Sequence, residues 1–162
     1  LRNLATVGGS IYSRFGFSDV LTMFLTLNAS VELYKGGVVP LAEYAQRPYD
    51  RDILVRVLVP KENARFVYQS VRNSQTDFPV LTCAAAKLAD GSIRAAIGAR
   101  PGKAVLYTAA PEAGETAEEF AARFAAEVKA DIKTESNLRG GAEYRRPLAG
   151  VLTKRAVCRL EG

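Results

Sequence analysis

The chain has 162 residues, 48% hydrophobic and 24% charged, with a formal net charge of +5, a composition that suits folded material with a sizeable core and excludes a disordered tail. Histidine is absent, which excludes an imidazole general base, a His-based triad and a His-ligated zinc site. Cys83 and Cys158 stand far apart, leaving neither a metal-ligand spacing nor a disulfide framework, and both read as buried, reduced core residues.

The first feature in chain order is Thr6-Val7-Gly8-Gly9-Ser10, a Gly-Gly pair flanked by small hydroxyl residues. Such a pair allows positive φ and lets a ligand approach the backbone, although by itself it describes an ordinary tight turn. Ser18-Asp19 predicts a capped helix running to about Leu27, with Asp19 favoured at the positive end of the helix dipole. Val31 to Tyr34, the Lys35-Gly36-Gly37 turn and Val38-Val39-Pro40 predict a hairpin. Ile53 to Val59 predicts a third strand, expected to be central in its sheet because it is apolar except for Arg56, and ended by Pro60.

A second sheet is expected from Phe66 to Val71, Val80 to Leu88, Ile93 to Ile97 and Ala104 to Tyr107, separated by turn-rich segments. Thr116 with Glu119 has the capping-box pattern for a helix whose apolar face holds Phe120, Phe124, Val128 and Ile132. After Gly140-Gly141 a last helix carries a stripe of Tyr144, Leu148, Val151, Leu152, Ala156 and Leu160. Strands followed by helices predict α+β, with two small two-layer subdomains: a β-rich part, residues 1–60, and an antiparallel sheet covered by two C-terminal helices, residues 61–162.

Charge and hydropathy narrow the partners. Basic and acidic residues alternate, as in Lys129-Ala130-Asp131, and the densest basic group, Arg139, Arg145, Arg146, Lys154, Arg155 and Arg159, is interrupted by Glu143. Nucleic-acid binding is not expected from that distribution. No apolar run approaches the roughly 20 residues of a membrane span.

Several segments together resemble one family. Arg2-Asn3 with Ala5-Thr6-Val7-Gly8-Gly9 and the later Ser18-Asp19 resemble the second flavin-binding segment of the FAD subunit of molybdenum hydroxylases, the xanthine dehydrogenase and carbon monoxide dehydrogenase flavoproteins. Asp52-Ile53-Leu54, the run Tyr68 to Asn73 with Asp77-Phe78, and Ser136 to Arg146 resemble its later strands and the start of its final helix. The resemblance implies an oxidoreductase subunit that binds FAD in the cytoplasm. Its cofactor contacts would be Thr6, Val7, Gly8, Gly9 and Ser10 around the diphosphate, Asp19 to a cofactor hydroxyl, and Leu54 and Gln69 near the flavin ring.

Ser10 stands where the family usually has asparagine, and Gln69 where some members have a lysine. The resemblance further implies no catalytic or metal-ligating side chain here. It implies a molybdopterin-binding large subunit, a [2Fe-2S] small subunit and an N-terminal FAD-binding segment as partners, with NAD as a possible acceptor. Alone, the 162 residues are expected to bind FAD weakly or not at all and to be inactive. The competing expectation is a non-catalytic α+β scaffold module.

Overall fold

The computed structural model describes residues 4–162; Leu1, Arg2 and Asn3 of the opening motif lie outside the described residues. The first half contains α1 (Val7–Tyr12), α2 (Asp19–Leu25), β1 (Ser30–Leu33), β2 (Gly37–Pro40), α3 (Leu41–Gln46) and β3 (Leu54–Leu58). The second contains β4 (Arg65–Val71), β5 (Leu81–Lys87), β6 (Ile93–Gly98), β7 (Val105–Ala109), α4 (Ala117–Asp131) and α5 (Ala142–Glu161). Two antiparallel sheets result, ordered β2-β1-β3 and β4-β5-β6-β7. The class is α+β with two small subdomains, as the pattern of strands before helices implies.

In the first subdomain, strand alternation sends Val31, Leu33 and Val39 inward, where they meet Ile11, Leu21, Leu25, Leu41 and Tyr44. The outer face carries the Glu32–Arg56 pair at 2.7 Å. Asp52 fixes the hairpin from beside it: its carboxylate accepts backbone N–H groups from Lys35, Gly36 and Ile53 at 2.9, 2.8 and 2.8 Å. Those bonds, that from Lys35 foremost, hold its carboxyl below the usual range.

One expectation fails here. The third strand is not central; β3 is an edge strand and β1 sits in the middle. Ile53, Val55 and Val59 are 64%, 48% and 44% exposed, so this apolar run is not a strand buried on both faces. The α3 helix, inserted directly after Pro40, has no counterpart in the sequence expectations.

The second subdomain is built on the Ala-rich β5. Six of its seven residues are buried, because small side chains let layers approach it from both sides. Leu81, Cys83 and Ala85 face Phe120, Phe124 and Val128 of α4 and Leu152, Ala156 and Val157 of α5. Burial pushes the Cys83 thiol up to about 12, so it is inert, whereas Cys158 is exposed, contrary to expectation.

The α4 capping box forms in full, with Thr116 Oγ1 accepting from Glu119 N and the Glu119 carboxylate accepting from Thr116 N. Thr116→Ala is expected to cost about 1 kcal/mol, readable as a lower urea midpoint. On α5 Leu148, Leu152, Ala156 and Leu160 of the expected stripe face the core, and two members do not. Tyr144 and Val151 are 54% and 44% exposed, while Arg145, Ala149, Thr153 and Val157 are fully buried. Arg145 is thereby separated from its neighbours in the basic group, Arg146, Lys154, Arg155 and Arg159, which are exposed. No helix among the described residues is long and apolar enough to cross a membrane.

The two subdomains meet closely at β6. A Cβ on Gly98 would lie 2.4 Å from Thr22 Oγ1, 2.5 Å from Thr82 Oγ1 and 2.7 Å from Gly16 O. The small residue at position 98 allows Thr22 and Thr82 to meet at 3.3 Å in the buried interface. Ala96, Ala104 and Leu106 of the second subdomain thereby join the core of the first.

Candidate functional site

The Gly-Gly segment is helix, not a tight turn. Thr6 is the N-cap of α1, its Oγ1 accepting from Gly9 N at 3.0 Å, and Gly8 and Gly9 occupy the first helical turn. Neither glycine has positive φ. The turn expected from the dipeptide is replaced because Thr6 supplies the cap, and the amides at a helix start point outward along its axis. A Cβ added to Gly8 would meet nothing within 4 Å.

The start of α1 borders a surface cleft of about 590 Å³, whose lining includes Thr6, Val7, Ser10, Ser18 and Asp19. Ser18 caps α2 through Leu21 N at 3.2 Å and donates to Ser10 O at 3.1 Å, so the start of α2 is tied to the second half of α1. The cleft therefore unites Thr6, Val7, Ser10 and Asp19 from the predicted set. Gly8 and Gly9 lie in the same helical turn without lining it. Leu54 also lies outside the lining, on edge strand β3 and partly buried against the first core.

Gln69 points the other way. Its Nε2 donates to Leu152 O on α5 at 3.3 Å, while its neighbour Tyr68 reaches Asp19 on the opposite face of the sheet. Strand alternation makes this separation unavoidable, since successive side chains of β4 leave opposite faces.

Sequence reasoning missed the residues on the cleft side of β4 and the aromatic wall. Tyr68 Oη donates to Asp19 Oδ1 at 2.6 Å, and Arg72 Nη2 bonds Asp19 Oδ2 at 2.6 Å. Burial, with Asp19 alongside, raises the Tyr68 phenol above its ordinary value. Period-2 reading from Tyr68 would have found Arg72 as its partner on the same face. Phe15 and Phe17 stack with centroids 5.1 Å apart, Phe17 meets Phe78 at 4.6 Å, and the three rings stay 49%, 38% and 48% exposed.

Both other charged residues of the lining are already paired. Arg72 is held by Asp19, and Asp77 by the Arg139 guanidinium at 2.7 Å. Arg139, followed by the Phe78 amide, holds the Asp77 carboxyl below the usual carboxylate range. A folded value below the unfolded one means that this contribution is complete above the unfolded value and is lost as the pH falls through the folded one. Asp77→Asn is therefore expected to lose less stability than the wild type between neutral and acid pH, measured by urea midpoints across that range.

Comparison with known proteins follows the division between the sheets. Residues 1–62 match the FAD binding domain in molybdopterin dehydrogenase, and residues 66–160 match the CO dehydrogenase flavoprotein C-terminal domain. The chain belongs to the FAD-binding subunit family of the molybdenum hydroxylases.

Among individual relatives, the uncharacterized protein YgfM of Escherichia coli K12 is 26% identical over 152 residues, covering 94% of this chain and 57% of that protein. CO dehydrogenase from Hydrogenophaga pseudoflava, in a form lacking the Mo-pyranopterin moiety of its molybdenum cofactor, matches with a TM-score of 0.81 at 23% identity, over 98% of this chain and 61% of its own. Quinoline 2-oxidoreductase from Pseudomonas putida 86 matches with a TM-score of 0.80 at 21% identity, over 99% and 61%. These structural likenesses concern the fold. The chain spans 57% of the curated relative and 61% of these two solved chains.

Proposed function

We propose that this chain forms part of the FAD site of a molybdenum-containing hydroxylase or dehydrogenase, passing electrons from [2Fe-2S] clusters through FAD to NAD or another acceptor. The observation that carries this reading is the convergence of Thr6, Val7, Ser10 and Asp19 on one cleft within the segment matched to an FAD binding domain. A flavin supplies the redox chemistry when bound; the side chains supply position, polarity and exclusion of water.

The donor set fits the group. Amides at the start of α1 and hydroxyls of Thr6 and Ser10 suit diphosphate oxygens. With Arg72 and Arg139 both paired to carboxylates, neutral donors would carry that contact. Ionised Asp19 is acceptor-only and suits a cofactor hydroxyl. Gly8 and Gly9 keep Cβ atoms away from the approach, and Leu54 is the apolar contact on the ring side. Gln69, bonded to α5, takes no part in this reading.

The remainder of the site is assigned to an N-terminal FAD-binding segment. The exposed apolar edge of β3, with Ile53, Val55 and Val59, supports its docking there, because such an edge invites strand addition or cover. The substrate-oxidising molybdopterin subunit and the [2Fe-2S] subunit are separate partners, and the assembly is placed in the cytoplasm.

The test is rapid-mixing spectroscopy on the complex purified with its encoded neighbours. Reduction by the complex's own substrate should bleach iron–sulfur and flavin absorbance together, and an acceptor should restore both. A complex with no flavin absorbance removes the proposal.

A further inference from the structure

We infer that Tyr68 and Arg72 are positioning residues for Asp19, so that the second subdomain, besides lining the cleft, sets the affinity of a cofactor contact supplied by the first. The inference rests on the proposed role of Asp19 as a cofactor contact. Asp19 is the first residue of α2 and lies in the segment matched to the FAD binding domain, whereas Tyr68 and Arg72 lie in or beside β4, in the segment matched to the flavoprotein C-terminal domain.

Each carboxylate oxygen of Asp19 receives one donor from across that junction, Tyr68 Oη on Oδ1 and Arg72 Nη2 on Oδ2, both at 2.6 Å. An ionised carboxylate has about four acceptor positions. Two fixed donors thus orient the group and leave one position on each oxygen for a ligand hydroxyl.

Arg72 is itself held from two further sides. Its Nη1 donates to Asp77 O at 2.7 Å and its Nε to Ser70 Oγ at 3.3 Å. A guanidinium fixed by three partners has little freedom to swing away, so the plane of the Asp19 carboxylate is set by the geometry of β4 and the following turn. Arg72 lines the cleft and could touch a ligand directly, but Tyr68 is not part of the lining. The Tyr68 hydroxyl bonds Asp19 and is outside the cleft lining, which makes it a cleaner probe of positioning than Arg72.

The test is a double-mutant cycle on FAD affinity, measured by flavin fluorescence in the complex with its encoded neighbours, using wild type, Tyr68→Phe, Asp19→Ala, which removes the acceptor, and the double variant. Asp19→Ser serves as the second background should the alanine variant not fold, as judged by thermal melts. The expected result is about a tenfold loss of affinity from Tyr68→Phe when Asp19 is present, the order of a charge-assisted hydrogen bond, and less than twofold when it is replaced. An equal loss in both backgrounds, or none with Asp19 present, overturns the positioning role while leaving the FAD site standing. Absence of FAD binding by the folded wild-type complex overturns the site, and the positioning role falls with it.

Discussion

Arg145→Met is expected to lower stability by about 4 kcal/mol. Arg145 is fully buried, and its partners are oxygens from two segments: Val80 O at 2.9 Å, before β5, and Glu135 O at 2.6 Å, Asn137 Oδ1 at 2.6 Å and Gly140 O at 2.5 Å in the loop that leads into α5. Methionine fills much of the same volume but donates nothing, so four acceptors lose their partner, Val80 O in a fully buried bond and the other three at part-buried positions. Each unsatisfied buried group costs about 1–3 kcal/mol, and relief of the guanidinium's own desolvation offsets part of the sum.

Against a total stability of about 5–15 kcal/mol the change is large. It should appear as a melting temperature lower by roughly 8–16 °C. The neighbouring Arg146 is exposed, and Arg146→Met is the control, with an expected change within about 0.5 kcal/mol. Equal melting temperatures for the two variants would show that the Arg145 network contributes nothing particular.

Gly8→Val is expected to leave the fold intact and to reduce FAD affinity at least about 100-fold, or roughly 2.7 kcal/mol. The added Cβ meets no protein atom within 4 Å, and the backbone at Gly8 is not left-handed. Valine also has a slightly better helix propensity than glycine, so stability should stay level or rise by a few tenths of a kcal/mol. The loss would come from the branched side chain standing where a diphosphate must approach the amides of α1. Unchanged affinity in a folded Gly8→Val variant would remove the start of α1 from the site.

The legible parts of this chain are those where local chemistry decides structure. Ser18 and Thr116 are caps because their hydroxyls satisfy amides that a helix start leaves free, and both helices begin where those residues indicate. The four strands of the second sheet are bounded by turn-rich segments and fall where their patterns place them. What was not legible depended on tertiary context. Hydrophobicity alone assigned β3 to the middle of its sheet, yet its position depends on what pairs with its outer edge.

The burial of Arg145 depends on a distant partner: Glu135 O and Gly140 O are its near neighbours in sequence, but Val80 O, in the fully buried bond, meets it only after folding. The Gly-Gly pair looked like a turn because two glycines permit one; Thr6, three residues before Gly9, made it a helix start. Of the residues that the family resemblance implies, Thr6, Val7, Ser10 and Asp19 come together on one cleft. The resemblance points to Gln69, which the period of the strand turns to the helix side, and Tyr68 and Arg72 face Asp19 instead. The Phe15, Phe17 and Phe78 wall joins residues more than 60 positions apart in the sequence, and no local pattern predicts that meeting.

The most direct test is a titration of FAD into this chain co-expressed with the polypeptide encoded immediately upstream, followed by flavin fluorescence. Saturable binding at one FAD per chain, with altered emission, is the predicted result. No binding, with both polypeptides shown to be folded and associated, would contradict the assignment of a flavin site to this cleft.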